Sequence, residues 1–247
     1  MFELIIFIIL IGAISFLYSS VGHGGASGYL ALMAVLGFST AVMKPSALLL
    51  NQVVSLISFI GFLRAGHFRL KLFLPFAVAS IPLAYIGGQM VISDDIYKKI
   101  LAICILISTF RIIFFSSKNK VEKINKNEIP LAAALFTGGT IGLISGMIGI
   151  GGGIILSPLL LTFKWATVKE TAAVSALFIF VNSISGFVAF VQKNSLTVDL
   201  HLQYGIFAAL LGGLLGTYYG SQKFNTPTLR ILLAVGLTIA SGKLLFT

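Results

Sequence analysis

Two glycine-rich stretches carry the residue types best suited to chemistry. The first reads Ser19-Ser20-Val21-Gly22-His23-Gly24-Gly25 and the second Gly149-Ile150-Gly151-Gly152-Gly153. Both interrupt long apolar runs. Glycine costs a helix ~1 kcal/mol per residue against alanine. Each stretch should therefore break a helix and leave backbone N–H groups unpaired where the next one starts. The helix dipole adds about half a positive charge at that point. Amides with no Cβ in the way suit the oxygens of a small anion, as they suit phosphate in other glycine-rich loops. The candidate substrate-binding residues are Ser19, Ser20, Gly22, Gly24 and Gly25 in the first stretch, and Gly149, Gly151, Gly152 and Gly153 in the second.

His23 is the ionisable member of these stretches. Protonated, it could pair with an anion. It could also carry a coupling proton, because its ordinary pKa lies near neutrality. A neutral ring bonded to a local carbonyl is the plainer alternative. Asn51 and Asn182 fall at similar places in two long apolar segments, with Ser175 close to the second. Buried amides need partners, which here can be the loop backbones, a substrate or a neighbouring helix. The seven acidic residues, Glu3, Asp94, Asp95, Glu122, Glu128, Glu170 and Asp199, all fall at expected loops or helix ends. That distribution argues against a cation pump and against a carboxylate-bound metal, and no metal or cofactor is expected. No Gly-Lys-Ser or Gly-Lys-Thr nucleotide loop occurs.

The elements that hold these residues are membrane helices. The chain has 247 residues, of which 57% are hydrophobic and 10% charged, where soluble domains carry about 25% charged residues. Its apolar runs are about 20 residues long and continuous, unlike the alternating segments of about ten in a membrane barrel. The net charge of +10 comes from Lys and Arg in short loops, which fits a positive-inside bias better than a nucleic-acid partner. Cys104 is the only cysteine, so an intramolecular disulfide is excluded. The N-terminus lacks a basic leader region and reads as a retained first helix.

Helices are expected over 2–18, 26–38, 40–63, 72–92 and 96–115, with Asp94-Asp95 as a turn. After a polar linker at 116–129 come 130–149, 154–163, 168–192, 200–222 and 226–246. The second and seventh are too short to cross about 30 Å of hydrocarbon. Ile11–Ser15 matches Ile141–Ser145, Ser46–Leu48 matches Ser175–Leu177, and Phe110–Phe114 matches Gly242–Phe246, all in one order. The fold expected is an all-α polytopic membrane protein of two repeats, 1–115 and 130–247, each of about five helical elements, with 8–10 membrane segments. Loop charges favour inverted repeats with re-entrant glycine-tipped hairpins, because that arrangement puts Arg64–Lys71, the linker, Lys164, Lys169 and Lys223 on one side. Gly87, Gly88, Gly212, Gly213 and Gly216 read as helix-packing positions. Arg64 and Arg111 read as snorkelling anchors.

The Gly146–Gly153 core, the Ser175–Gly186 segment with Asn182, and their weaker first-half copies resemble the sulfite exporter TauE/SafE family over essentially the whole chain. The first loop departs from the family's pattern, since His23 interrupts its glycines. The resemblance implies a secondary transporter of the cytoplasmic membrane, moving sulfite, an organosulfonate or a related small anion by alternating access, with protons as a candidate coupling ion. An anion channel would use the same glycine tips. An intramembrane hydrolase built on Ser20 and His23 is the remaining alternative, and it lacks a nucleophile motif.

Overall fold

The computed structural model describes residues 2–114, 129–194 and 200–222. Among the described residues every regular element is a helix: α1 (Phe2–Ser20), α2 (Ala26–Val35), α3 (Thr40–Arg64), α4 (Leu70–Gln89), α5 (Asp94–Phe114), α6 (Leu131–Ile148), α7 (Gly153–Thr162), α8 (Val168–Lys193) and α9 (Leu200–Gln222). The expected helix over 226–246, and all of the linker but its last residue, lie outside the described residues. Helices α3, α4, α6 and α8 are each long and apolar enough to cross a membrane. At ten residues each, α2 and α7 reach only about 15 Å. The protein is an all-helical, multi-pass membrane protein.

Local chemistry explains the helix ends. Thr167 and Glu170 close a reciprocal box at the start of α8: the Glu170 N–H donates to Thr167 Oγ1 at 3.2 Å and the Thr167 N–H to Glu170 Oε2 at 2.8 Å. Asp94 and Asp95 belong to the first turn of α5 instead of forming a separate turn, because carboxylates are favoured at the positive end of a helix. Thr40 Oγ1 donates to Asp94 at 2.5 Å and ties the starts of α3 and α5 together.

The packing is organised by glycine ladders. Gly138, Gly142 and Gly146 of α6 lie on the backbone of Phe76, Ser80 and Ala84 in α4. Gly212, Gly216 and Gly220 of α9 lie on Gly12, Phe16 and Ser20 in α1. A Cβ on any of the six would run into a carbonyl oxygen of the facing helix. Such close backbone approach replaces the hydrophobic drive that lipid does not supply. The expected packing glycines behave alike, with Gly87 on Leu143 and Gly88 on Gly186 and Ala189.

These contacts also fix directions. The ladders run in step, so α1 is parallel to α9 and α4 to α6. Val54 meets Gly213 and Ser58 meets Thr217, so α3 is parallel to α9. Ile81 meets Ser185 and Gln89 meets Lys193, so α4 is parallel to α8. Helices α3 and α8 are antiparallel: Lys44 lies by Phe190, Asn51 by Ser183, and Phe62 by Ala172 and Ala173. Matching the elements in order, α1 with α6, α3 with α8 and α4 with α9, each helix of the first set opposes its counterpart in the second.

One end of the bundle is basic. Arg69 donates to the Trp165 carbonyl at 3.2 Å and lies 3.6 Å from Glu170. Lys169 donates to the Ser221 carbonyl at 3.3 Å. These bonds join the α3–α4 loop, the α7–α8 loop and the end of α9, gathering Arg64, Arg69, Lys71, Lys164 and Lys169 on one side. Asp94, Asp95 and Lys193 belong to the opposite end.

Candidate functional site

Each short helix starts at a glycine cap in the left-handed region. Gly25 (φ 97°) caps α2 and Gly152 (φ 79°) caps α7, a conformation that a Cβ penalises by ~1–2 kcal/mol. The caps put Gly22-His23-Gly24-Gly25 in register with Gly149-Ile150-Gly151-Gly152, so His23 and Ile150 occupy matching places.

Asn51, in the middle of α3 and fully buried, touches both tips. Its Oδ1 accepts from the Ala26 N–H at 3.0 Å, at the start of α2. Its Nδ2 donates to the Ile150 carbonyl at 3.2 Å, inside the second tip, and lies 3.5 Å from Ser183 Oγ. Gly24 and Gly151 pack on the same two side chains, Asn51 and Ile179. Gly152 faces Ile141, Phe178 and the Cβ of Ser145, while Gly153 faces Ile179 and the Ser175 carbonyl. Protein encloses both tips in this conformation.

His23 links the first tip to the second set of helices. Its Nδ1 lies 3.1 Å from the Val21 carbonyl, which can only accept, so Nδ1 carries a proton. Its Nε2 lies 2.9 Å from Ser157 Oγ in α7, and Ser157 Oγ lies 2.7 Å from Ser175 Oγ in α8. A neutral ring accepts from Ser157. A protonated ring donates to it instead, which frees the Ser157 hydroxyl proton for another acceptor such as Ser175 Oγ.

Other expected residues sit differently. Ser19 and Ser20 turn back on their own helix, donating to the carbonyls of Phe16 (3.3 Å) and Leu17 (2.7 Å). Gly22 packs on Ala172, and Gly149 on Lys44 and Leu48. Asn182 does not repeat the role of Asn51. Its Nδ2 donates to the Phe178 carbonyl at 2.8 Å, and its Oδ1 is buried with no partner. His67 is half-buried in the loop before α4, and burial, then nearby Lys169, holds it below the ordinary histidine range. His201 stacks edge-on against Phe7 and Phe38.

Sequence reasoning did not single out Ser157, Ser145 or Lys44. Ser157 follows the triple glycine by one helical turn, but nothing local announces its meeting with His23. Ser145 Oγ is buried without a partner. Its counterpart Ser15 bonds Tyr29 Oη at 2.7 Å, and the place matching Tyr29 in α7 is held by Leu156. Lys44 is buried close to the end of α4.

Comparison with known proteins agrees with this architecture. Residues 6–244 match the family model described as sulfite exporter TauE/SafE. A protein of Sinorhizobium fredii named as a probable membrane transporter is 34% identical over 235 residues, covering 94% of each chain. A second probable membrane transporter protein, from Methanocaldococcus jannaschii, is 26% identical over 190 residues, covering 73% of this chain and 70% of its own. No solved structure matches. Glycine-broken helices, an apolar helical bundle and a match spanning nearly the whole sequence converge: the chain belongs to the sulfite exporter TauE/SafE family of membrane transporters.

Proposed function

We propose that this protein is a secondary transporter that carries a small sulfur-containing anion, such as sulfite or an organosulfonate, across the cytoplasmic membrane. The observation that carries the reading is Asn51, which ties the glycine tips before α2 and α7 together at the middle of α3 and α8. The starts of two helices then share one buried neighbourhood, and their dipoles favour an anion without a full compensating charge. Opposed helix directions in the two sets support inverted halves, 1–115 and 130–247, that rock around the tips to give alternating access. The basic end is the cytoplasmic one.

Gly22, Gly24, Gly25, Gly149, Gly151, Gly152 and Gly153 line the anion path. His23 carries the coupling proton, and its bonds to Ser157 and Ser175 report protonation in the first tip to α7 and α8. Asn182 and Ser145 bring unmet polar atoms to the second half. The close packing of the tips favours a gated carrier over an open pore. The Ser20–His23 hydrolase has no geometric support, since Ser20 is bonded to Leu17 and His23 to Ser157.

Flux in proteoliposomes tests the reading, using radiolabelled sulfite, thiosulfate, sulfoacetate and a plain carboxylate. Saturable, slow movement of a sulfur anion is expected, driven by a pH gradient and weakened in His23→Gln. Movement of none of the four rejects the substrate class. Single-channel current would replace the carrier with a pore.

A further inference from the structure

We infer that Lys44 is an anion-binding residue on the extracytoplasmic half of the path; this rests on the anion-carrier reading above. Lys44 lies one turn into α3 and is only 6% exposed. Its ammonium donates to the Gly88 carbonyl at 3.1 Å and sits 5.7 Å from the centre of the Phe190 ring. Neither ion pair among the described residues includes it. An ammonium has three donors, and one is used here. The C-terminal carbonyls of α4 supply only a partial negative charge, about half a unit. In its charged form the side chain is thus a cation in the protein interior with two donors to spare and no carboxylate, an arrangement that is costly unless an anion completes it.

Position places the base of this side chain against the second tip. Lys44, Leu48 and Asn51 follow a helical face that meets the tip residue by residue. The Cβ position of Gly149 lies 3.2 Å from the Lys44 carbonyl oxygen, 3.4 Å from Lys44 Cγ and 3.6 Å from Leu48 Cγ, and Asn51 follows at Ile150. The matching contact in the other set shows that packing does not require a lysine. There Gly22 lies on Ala172, five residues into α8 as Lys44 is into α3. A small apolar residue fills that structural role, and the charge is an addition made at one tip. Lys44 lies toward the end of the bundle opposite the Arg69–Glu170 cluster. An anion leaving or entering on that side passes from the Gly149–Gly153 amides to the ammonium.

The test measures flux against concentration for whichever labelled sulfur anion the wild type moves. Lys44→Gln keeps a donor for the Gly88 carbonyl and loses the charge. It should raise the half-saturating concentration at least ~tenfold, the scale expected for losing a buried charge partner. Lys44→Arg should stay within ~threefold, since it keeps the charge. Lys193→Gln, which removes an exposed lysine bonded to the neighbouring Gln89 carbonyl, should behave as wild type. If folded Lys44→Gln saturates at the wild-type concentration, Lys44 is only a helix cap and the inference is overturned. Should that variant not fold, Lys44→His is compared at pH 6 and pH 8. Affinity must then weaken at the higher pH more than in wild type, and an unchanged ratio overturns the inference. If wild type itself moves no sulfur anion, the transport reading fails first and this inference with it.

Discussion

Asn51→Leu is the sharpest test of the two-tip arrangement. The substitution keeps the branched shape but removes the acceptor for the Ala26 N–H and the donor for the Ile150 carbonyl. Both groups belong to residues no more than 3% exposed, so water does not replace the lost partner. Each orphaned group costs about 1–3 kcal/mol. The bond toward Ser183, at 3.5 Å, adds little. The sum is about 2–6 kcal/mol, which at ~2–4 °C per kcal/mol for a chain of this size is a drop on the order of 10 °C in the unfolding midpoint. Trp165 is the sole tryptophan and stacks on Phe163 at 4.8 Å in the α7–α8 loop, so its fluorescence in detergent reports the melt. Flux should fall further than the folded fraction, because the tips lose their common tether. Asn51→Asp should be worse still. It keeps the acceptor for Ala26 but turns an oxygen toward the Ile150 carbonyl and adds a negative charge beside the proposed anion path. If Asn51→Leu melts within about 2 °C of wild type and transports normally, Asn51 does not hold the tips together and the reasoning fails.

Three further outcomes follow from local geometry. Gly142→Ala should destabilise strongly, because its Cβ meets the Ser80 carbonyl on a rigid helix; Gly37→Ala, with nothing within 4 Å and φ at 78°, should cost only the ~1–2 kcal/mol of a left-handed residue. Equal melting of the two variants would show that the ladder is not close-packed. Asn182→Leu removes a buried oxygen that has no partner, so the empty protein should melt at the same temperature or higher; if the oxygen serves the substrate, stabilisation by the transported anion should shrink, and a large loss of stability without ligand would refute the orphan assignment. His67 is depressed chiefly by burial and then by Lys169, against Glu170. The native state therefore binds this proton less readily than the unfolded chain, so its contribution is complete above the unfolded pKa near 6.5 and is lost as pH falls through the lower folded value. Midpoints measured from pH 8 to pH 5 should fall less in His67→Gln than in wild type, and parallel curves would remove His67 as the cause.

Hydropathy and glycine position made the helix order legible. They placed α2 and α7 as short elements and both tips as breaks, because helix length and φ preference are local properties. The charge pattern located Arg64–Lys71 and Lys164–Lys169 on one side for the same reason. Partnerships across the bundle were not local. Asn51 and Asn182 look interchangeable in sequence, yet one bridges two loops while the other bonds its own helix. Ser19 and Ser20 look like loop donors, but α1 continues through Ser20 and its own carbonyls capture both hydroxyls. The four-residue spacing of Gly138, Gly142 and Gly146 was visible, but only the facing backbone of α4 gives it meaning.

The departures from symmetry argue for a division of labour between the tips. With α2 and α7 superimposed by their glycine caps, His23 replaces Ile150, Tyr29 replaces Leu156, and Ala172 stands where the other tip meets Lys44. The hydroxyls differ as well: Ser15 donates to the Ile11 carbonyl and also meets Tyr29 Oη, whereas Ser145 has neither partner and Leu156 offers it none. The first tip is therefore closed by internal bonds and carries the titratable ring. The second keeps unmet polar atoms and packs against Lys44 of α3. A carrier built this way would sense protons at one tip and hold its anion at the other, with the hydrogen bonds of Asn51 as the link between them. Binding and proton response should then separate by mutation: Ser157→Ala should flatten the pH dependence of flux while leaving the half-saturating anion concentration near the wild-type value, and Lys44→Gln should do the reverse. A Ser157→Ala protein that loses anion affinity and keeps its pH profile would merge the two roles into one site and refute the division.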